Sequence, residues 1–264
     1  MTAHTATADR IADAFAGHGK RAALMPYLMG GHTGLDGSRA AAVAAASAGA
    51  DLLELGVPFS DPLADGPTIH EAGTRALAAG VTPDDVLSIC ADVADRLPVL
   101  LMVYANIVLS VGGATYARRA ADAGAAGLIV PDLPHDEAGE LREACDVARL
   151  ALIPLVAPTT TAERLAAIGS DARGFVYTVS LVGTTGERSQ LPPELPAMIE
   201  RVRATTTLPV AVGFGIATPA HARAVGEVAD GVIVGTRVVR AAQEGGAQAV
   251  GALVRELAQA LRRA

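Results

Sequence analysis

Eight short apolar runs recur along the chain: Ala22–Met29, Leu52–Val57, Val99–Tyr104, Gly127–Val130, Leu150–Val156, Gly174–Val179, Pro209–Gly213 and Gly231–Val234. Each is continuous rather than alternating, the pattern of a parallel strand covered on both faces. Alanine-rich stretches with helix signals lie between them. Thr82-Pro83-Asp84-Asp85 opens one, with threonine as the cap and proline at the first helical position. Thr160–Gly169 and Thr218–Gly226 read as two more, each expected to end at its glycine. Ile11–Phe15 predicts a helix ahead of the first strand. Ala247–Arg263 predicts an amphipathic final helix, with Val250, Leu253, Val254, Leu257 and Leu261 on one face. Strands and helices in alternation predict a single (β/α)8 barrel domain over residues 1–264, with an extra N-terminal helix. The rival is an open doubly wound sheet. It calls for a G-x-G-x-x-G turn after the first strand, and Gly30-Gly31-His32-Thr33-Gly34 is not one.

Composition narrows the function classes. With 51% hydrophobic and 19% charged residues, the chain is far from the disordered class. No apolar run approaches the ~18 residues of a membrane span, and Met1–Ala8 has none of the features of a signal peptide. Cys90 and Cys145, on separate predicted helices, read as buried thiols of a cytoplasmic protein. A net charge of −7 without a basic stripe argues against nucleic acid as the main partner. Lys20 is the only lysine and precedes the first strand. Schiff-base chemistry needs a lysine near the catalytic end of a strand, so that class is set aside.

In a barrel the chemistry sits at the carboxyl ends of the strands. Glu54 lies within the second apolar run, where a carboxylate is costly unless paired, protonated or used. The loop after it, Pro58 to Pro67, adds Asp61 and Asp65. Two carboxylates in different surroundings can divide the work, one carrying protons and the other holding a fixed negative charge. Asp61-Pro62 and Asp65-Gly66 also fit ordinary turns. Glycine-bearing turns follow strands six, seven and eight: Gly183 to Gly186, Gly213 to Gly215, and Gly235-Thr236. Together they suggest a cradle for a phosphorylated substrate, because glycine lets backbone N–H groups approach an anion. Ser180–Gln190 reads as a lid. The six histidines are scattered without a metal-binding pair, so no metal site is expected; His70 and His135 follow loops near the rim.

These residues carry a resemblance. Glu54-Leu55-Gly56-Val57-Pro58-Phe59-Ser60-Asp61-Pro62-Leu63-Ala64-Asp65-Gly66-Pro67 resembles the signature of the tryptophan synthase α subunit family. The likeness continues through Leu128 to Pro134, Val156 to Thr160, Gly213 to Ile216 and Asp230 to Thr236, in family order. It implies a barrel lyase that cleaves indole-3-glycerol phosphate to indole and glyceraldehyde 3-phosphate. Glu54 resembles the family's acid–base glutamate, and Asp65 the aspartate facing the indole N–H. Gly186, Gly215, Gly235 and Thr236 resemble its phosphate contacts. Tyr27, Ile129, Leu155, Tyr177, Phe214 and Ile233 fall where the family builds its indole pocket, and Asp61 lies on a loop that faces a partner. The implied partner is a β subunit in an αββα assembly. Pyridoxal phosphate is expected only on that β subunit, and no cofactor in this chain. A stand-alone lyase releasing free indole and a non-catalytic barrel partner are the alternatives. The chain departs from the family at Thr236 (usually serine), Thr184, Leu181, His32-Thr33 and Asn106-Ile107. None of these departures touches Glu54 or Asp65.

Overall fold

The computed structural model describes residues 7–179, 192–213 and 215–263. Its strands, in chain order, are β1 (Ala23–Met29), β2 (Leu53–Gly56), β3 (Val99–Met102), β4 (Gly127–Ile129), β5, β6 (Val176–Val179), β7 (Val210–Gly213) and β8 (Gly231–Val234). β5 is the run expected at Leu150–Val156, divided into Ala151–Ile153 and Leu155–Val156. Pro154 divides it, because proline has no N–H to give to the ladder. The first half pairs with β4 and the second with β6. The Pro154 carbonyl still accepts from Tyr177 N at 3.0 Å. All strand pairings are parallel, β1 lies between β2 and β8, and the two halves of β5 stand at the two ends of the strand order, so the sheet closes into an eight-stranded barrel.

Side-chain direction follows the two-residue repeat of a strand. In β2, Leu53 and Leu55 pack into the layer between strands and helices. Leu52 packs into the barrel interior, with Met25, Leu100, Ile129, Ile153 and Ala211. Glu54, two positions on, therefore projects inward. The N-terminal helix, Thr7–Gly17, covers the amino end of the barrel with Ile11 and Phe15. The Phe15 ring lies 5.4 Å from that of Phe175. That end is filled, which leaves the carboxyl end of the strands as the way in.

One helix expectation needs correction. The helix expected to stop at Gly169 runs Ala162–Asp171, with Thr161 as its cap. A Cβ on Gly169 would stand 2.2 Å from the Thr205 carbonyl oxygen, so this glycine allows close packing rather than ending a helix. The final helix starts at Ala247 as expected and runs to Ala260; a helix not foreseen begins at Thr236, and Gly245 and Gly246, whose backbone angles are not helical, divide the two. The other signals hold: Thr82 makes a full capping box with Asp85, and Thr218 caps Pro219–Gly226. Cys90 and Cys145 are free, buried and on separate helices, Pro83–Val93 and Gly139–Val147. Among the described residues no helix is long and apolar enough to cross a membrane.

Candidate active site

Glu54 sits opposite Tyr27 of β1 and Leu100 of β3 in the strand register. It is 1% exposed, and neither carboxyl oxygen has a hydrogen-bond partner. Burial pushes its pKa up to about 8, and the negative charge of Asp65 adds to the rise. A buried, unsatisfied carboxyl is costly, so its presence in an otherwise apolar strand points to use rather than to packing.

Asp65 lies on the loop that returns from β2 toward the helix Pro67–Ala78. Burial raises its pKa to about 6; a hydrogen bond donated by the Tyr104 hydroxyl and the charge of His70 hold the rise down. Tyr104 fixes the loop in two further ways. Its hydroxyl accepts from Ala64 N at 3.1 Å. Its ring stacks on Phe59, with centroids 5.1 Å apart. Sequence reasoning passed over Tyr104; the available signal was an aromatic hydroxyl at the carboxyl end of the third apolar run. Tyr27 and Tyr177 are buried, and burial holds both phenols protonated, with the charge of Glu54 adding to each. Three of the chain's four tyrosines thus surround the two carboxyls.

Glycines make room for two of those rings. A Cβ on Gly56 would stand 2.1 Å from the Tyr27 hydroxyl, and one on Gly213 would stand 2.4 Å from that of Tyr177. Of the expected apolar pocket, Ile129, Tyr177 and Ile233 share the interior cluster, with Leu155 packed against it. Tyr27 belongs to an adjoining cluster with Met29, Ile69 and Val239. Met102, not foreseen, packs against both. Phe214 lies outside the described residues, as do Gly186 and the expected lid from 180 to 190.

The remaining residues expected in a phosphate cradle sit at backbone positions suited to an anion. Gly215 has φ +80°, a conformation that favours glycine. Gly235 precedes the first turn of the helix that begins at Thr236, and no side chain caps that end. Its N–H groups and dipole favour negative charge there. Thr236 is buried. Asp61 is exposed on the same loop as Asp65 and accepts from the Ser60 hydroxyl. Lys20, the sole lysine, is at the opposite end of the barrel, paired with Asp51 at 2.7 Å. His70 is exposed, and His135 faces Arg142 and Asp171.

The raised pKa of Glu54 has a consequence for stability. The unfolded chain ionises this group near 4.5, the folded chain near 8. Between those values the unfolded state holds fewer protons, so the fold loses stability as pH rises through the window. Glu54→Gln removes that slope. Urea unfolding at pH 5 and pH 8.5 should show the variant gaining on the parent, by about 2–4 kcal/mol at the higher pH. Parallel curves for the two proteins would mean that Glu54 is not desolvated as described.

The family model for the tryptophan synthase alpha chain matches residues 14–263. The alpha chain of Synechococcus elongatus is 46% identical over 246 residues, covering 92% of each chain. That of Roseiflexus castenholzii is 50% identical over 240 residues, covering 89% of this chain and 92% of its own. Among solved structures, Mycobacterium tuberculosis tryptophan synthase superposes with a TM-score of 0.91 at 40% identity, over 99% of this chain and 100% of that one. The alpha subunit from Legionella pneumophila gives 0.87 at 37% identity, over 98% and 99%.

Proposed function

This chain belongs to the tryptophan synthase alpha chain family, the lyase that cleaves indole-3-glycerol phosphate in tryptophan biosynthesis, and we propose that Glu54 carries the protons of that reaction while Asp65 holds the balancing charge. One observation carries the assignment: a buried glutamate with both oxygens unpartnered, its pKa near 8, beside an aspartate whose pKa is near 6. At neutral pH the first group is mostly protonated and the second mostly ionised, so one acid and one anion face the same space.

The chemistry follows. Glu54 gives its proton to indole C3, and the ring becomes an indoleninium cation. Asp65, negative and held by Tyr104, stabilises the positive ring N–H. The carboxylate left on Glu54 then takes the proton of the glycerol hydroxyl next to the breaking bond. The C–C electron pair returns to the ring, and indole and glyceraldehyde 3-phosphate leave. Glu54 ends protonated, ready for another turn. Tyr27, Ile129, Leu155, Tyr177, Phe214 and Ile233 form the walls for the indole. Gly186, Gly215, Gly235 and Thr236 hold the phosphate, the last two at a helix start. The site uses no pyridoxal phosphate, which belongs to the β partner.

Gly215→Asp tests the cradle. A carboxylate there occupies and repels the phosphate, so KM for indole-3-glycerol phosphate should rise by about tenfold or more, with unchanged far-UV circular dichroism as the folding check. An unaltered KM removes Gly215 from the site.

We place a β subunit on the catalytic face, in an αββα assembly, supported by solved relatives that are tryptophan synthases. A partner raises turnover only by binding the active arrangement of this chain better than the inactive one. Asp61, exposed on the loop that carries Asp65, is the residue to test. Asp61→Asn should keep the indole-release rate of the isolated chain and lose most of the stimulation by added β subunit. An isolated chain already at full speed, indifferent to β subunit, would favour the stand-alone lyase.

A further inference from the structure

A cavity lies outside the barrel, between the helices Gly139–Val147 and Ala162–Asp171 that cover neighbouring strands β4 and β5. These helices are joined at the rim by charge. Arg142 meets Asp171 at 3.3 Å, and His135 Nε2 meets the same carboxylate at 3.5 Å. Arg142 also donates to His135 Nδ1 at 3.3 Å. Beneath this latch is a space of about 300 Å³, with Leu133, Leu152, Pro154, Leu155 and Ile168 among its walls. Ala138 and Ala172 also line it, and their short side chains leave it unfilled.

We propose that this crevice is a ligand site of its own, and that it takes a zwitterionic α-amino acid with an aromatic side chain. The walls ask for an apolar body, and the volume is at the lower end of small-molecule pockets. The rim displays both signs of charge. Arg142, paired with Asp171, and Arg164, paired with Asp136 outside the crevice, can share a carboxylate, and Asp171 and Asp132, whose Oδ1 accepts from Ala105 N at 2.8 Å, can share an ammonium group. A plain anion would face the two aspartates, and a plain cation the two arginines. A zwitterion satisfies both without leaving a like charge opposed. Leu155 lines this cavity and also packs against the barrel interior, so occupancy touches a wall of the indole pocket from behind. The binding claim itself does not rest on the lyase reading.

The test is isothermal titration of the full chain with L-tryptophan, tryptamine (cation only) and indole-3-propionate (anion only). A saturating non-cleavable indole-alkyl phosphate is present throughout to occupy the barrel. L-tryptophan should bind, and the two single-charge analogues should bind at least tenfold more weakly. Leu133→Trp, which fills the crevice from its loop, should weaken L-tryptophan at least tenfold while lyase activity stays at the parent level. Arg142→Gln, which leaves the walls intact, should weaken it about fivefold. Should Leu133→Trp fail to fold, amide shifts of the parent chain decide: they should move at residues 133–138 and 164–172. No L-tryptophan binding at millimolar concentration overturns the proposal. So does equal binding of all three probes, or shift changes confined to the barrel mouth.

Discussion

Glu54→Gln should lose nearly all indole-3-glycerol phosphate cleavage while still binding the substrate. The change keeps shape and burial and removes only the ionisable proton. A carboxyl of pKa near 8 can give a proton and take one back within a turnover; an amide can do neither. General acid–base catalysis is typically worth about 10²–10⁴-fold, and here one group serves both proton transfers, so the upper part of that range is expected. The phosphate turns and the apolar walls are untouched, so KM should stay within about threefold of the parent, the pattern of an interaction made only in the transition state. The measurement is steady-state indole formation, with titration of a non-cleavable indole-alkyl phosphate as the binding control. Near-parental turnover would sink the mechanism whatever the fold. Loss of both binding and turnover would point to a collapsed pocket instead.

Much of the fold was legible because each strand is buried on both faces. Runs such as Leu52–Val57 and Val99–Tyr104 therefore stand out without any alternation to decode. Glu54 was legible for the same reason, as a charge inside an apolar run. What stayed hidden depends on partners distant in sequence. Gly169 has the composition of a helix end, and only the Thr205 backbone pressed against it explains why the helix continues. Tyr104 reads as the apolar end of a strand until the loop carrying Ala64 and Asp65 folds onto its hydroxyl. Asp65 was expected simply to remain charged. Its pKa near 6 reflects burial in the folded chain, which spacing along the sequence does not reveal. The kink at Gly245 and Gly246 had a sequence signal, a glycine pair. The helix expected from Ala247 starts just past it; the helix on its other side, from Thr236 behind the β8 turn, went unread.

Asp65→Asn should also be severely impaired, for a different reason that its pH profile exposes. The group is asked to be negative beside a developing ring cation, and replacing the anion with a neutral amide removes about 10²–10³-fold in kcat, the usual scale for one electrostatic contact to the transition state. In the parent, kcat/KM should be bell-shaped. The acid limb falls below about pH 6 as Asp65 gains a proton. The alkaline limb falls above about pH 8 as Glu54 loses the proton it must deliver to C3. Because the two carboxyls interact, each limb belongs to the pair as well as to its leading residue. In Asp65→Asn the acid limb should vanish. The alkaline limb should move to lower pH, because removing the negative neighbour eases the ionisation of Glu54 and leaves burial alone to hold its pKa up. Tyr104→Phe gives the intermediate case. It keeps the aspartate but removes its hydrogen-bond donor, so the acid limb should rise above pH 6 with a smaller loss of kcat than the Asp65 variant shows. An Asp65→Asn enzyme that retained the acid limb would transfer that ionisation to another group, and one within about threefold of parental kcat would leave the cation without its proposed counter-charge.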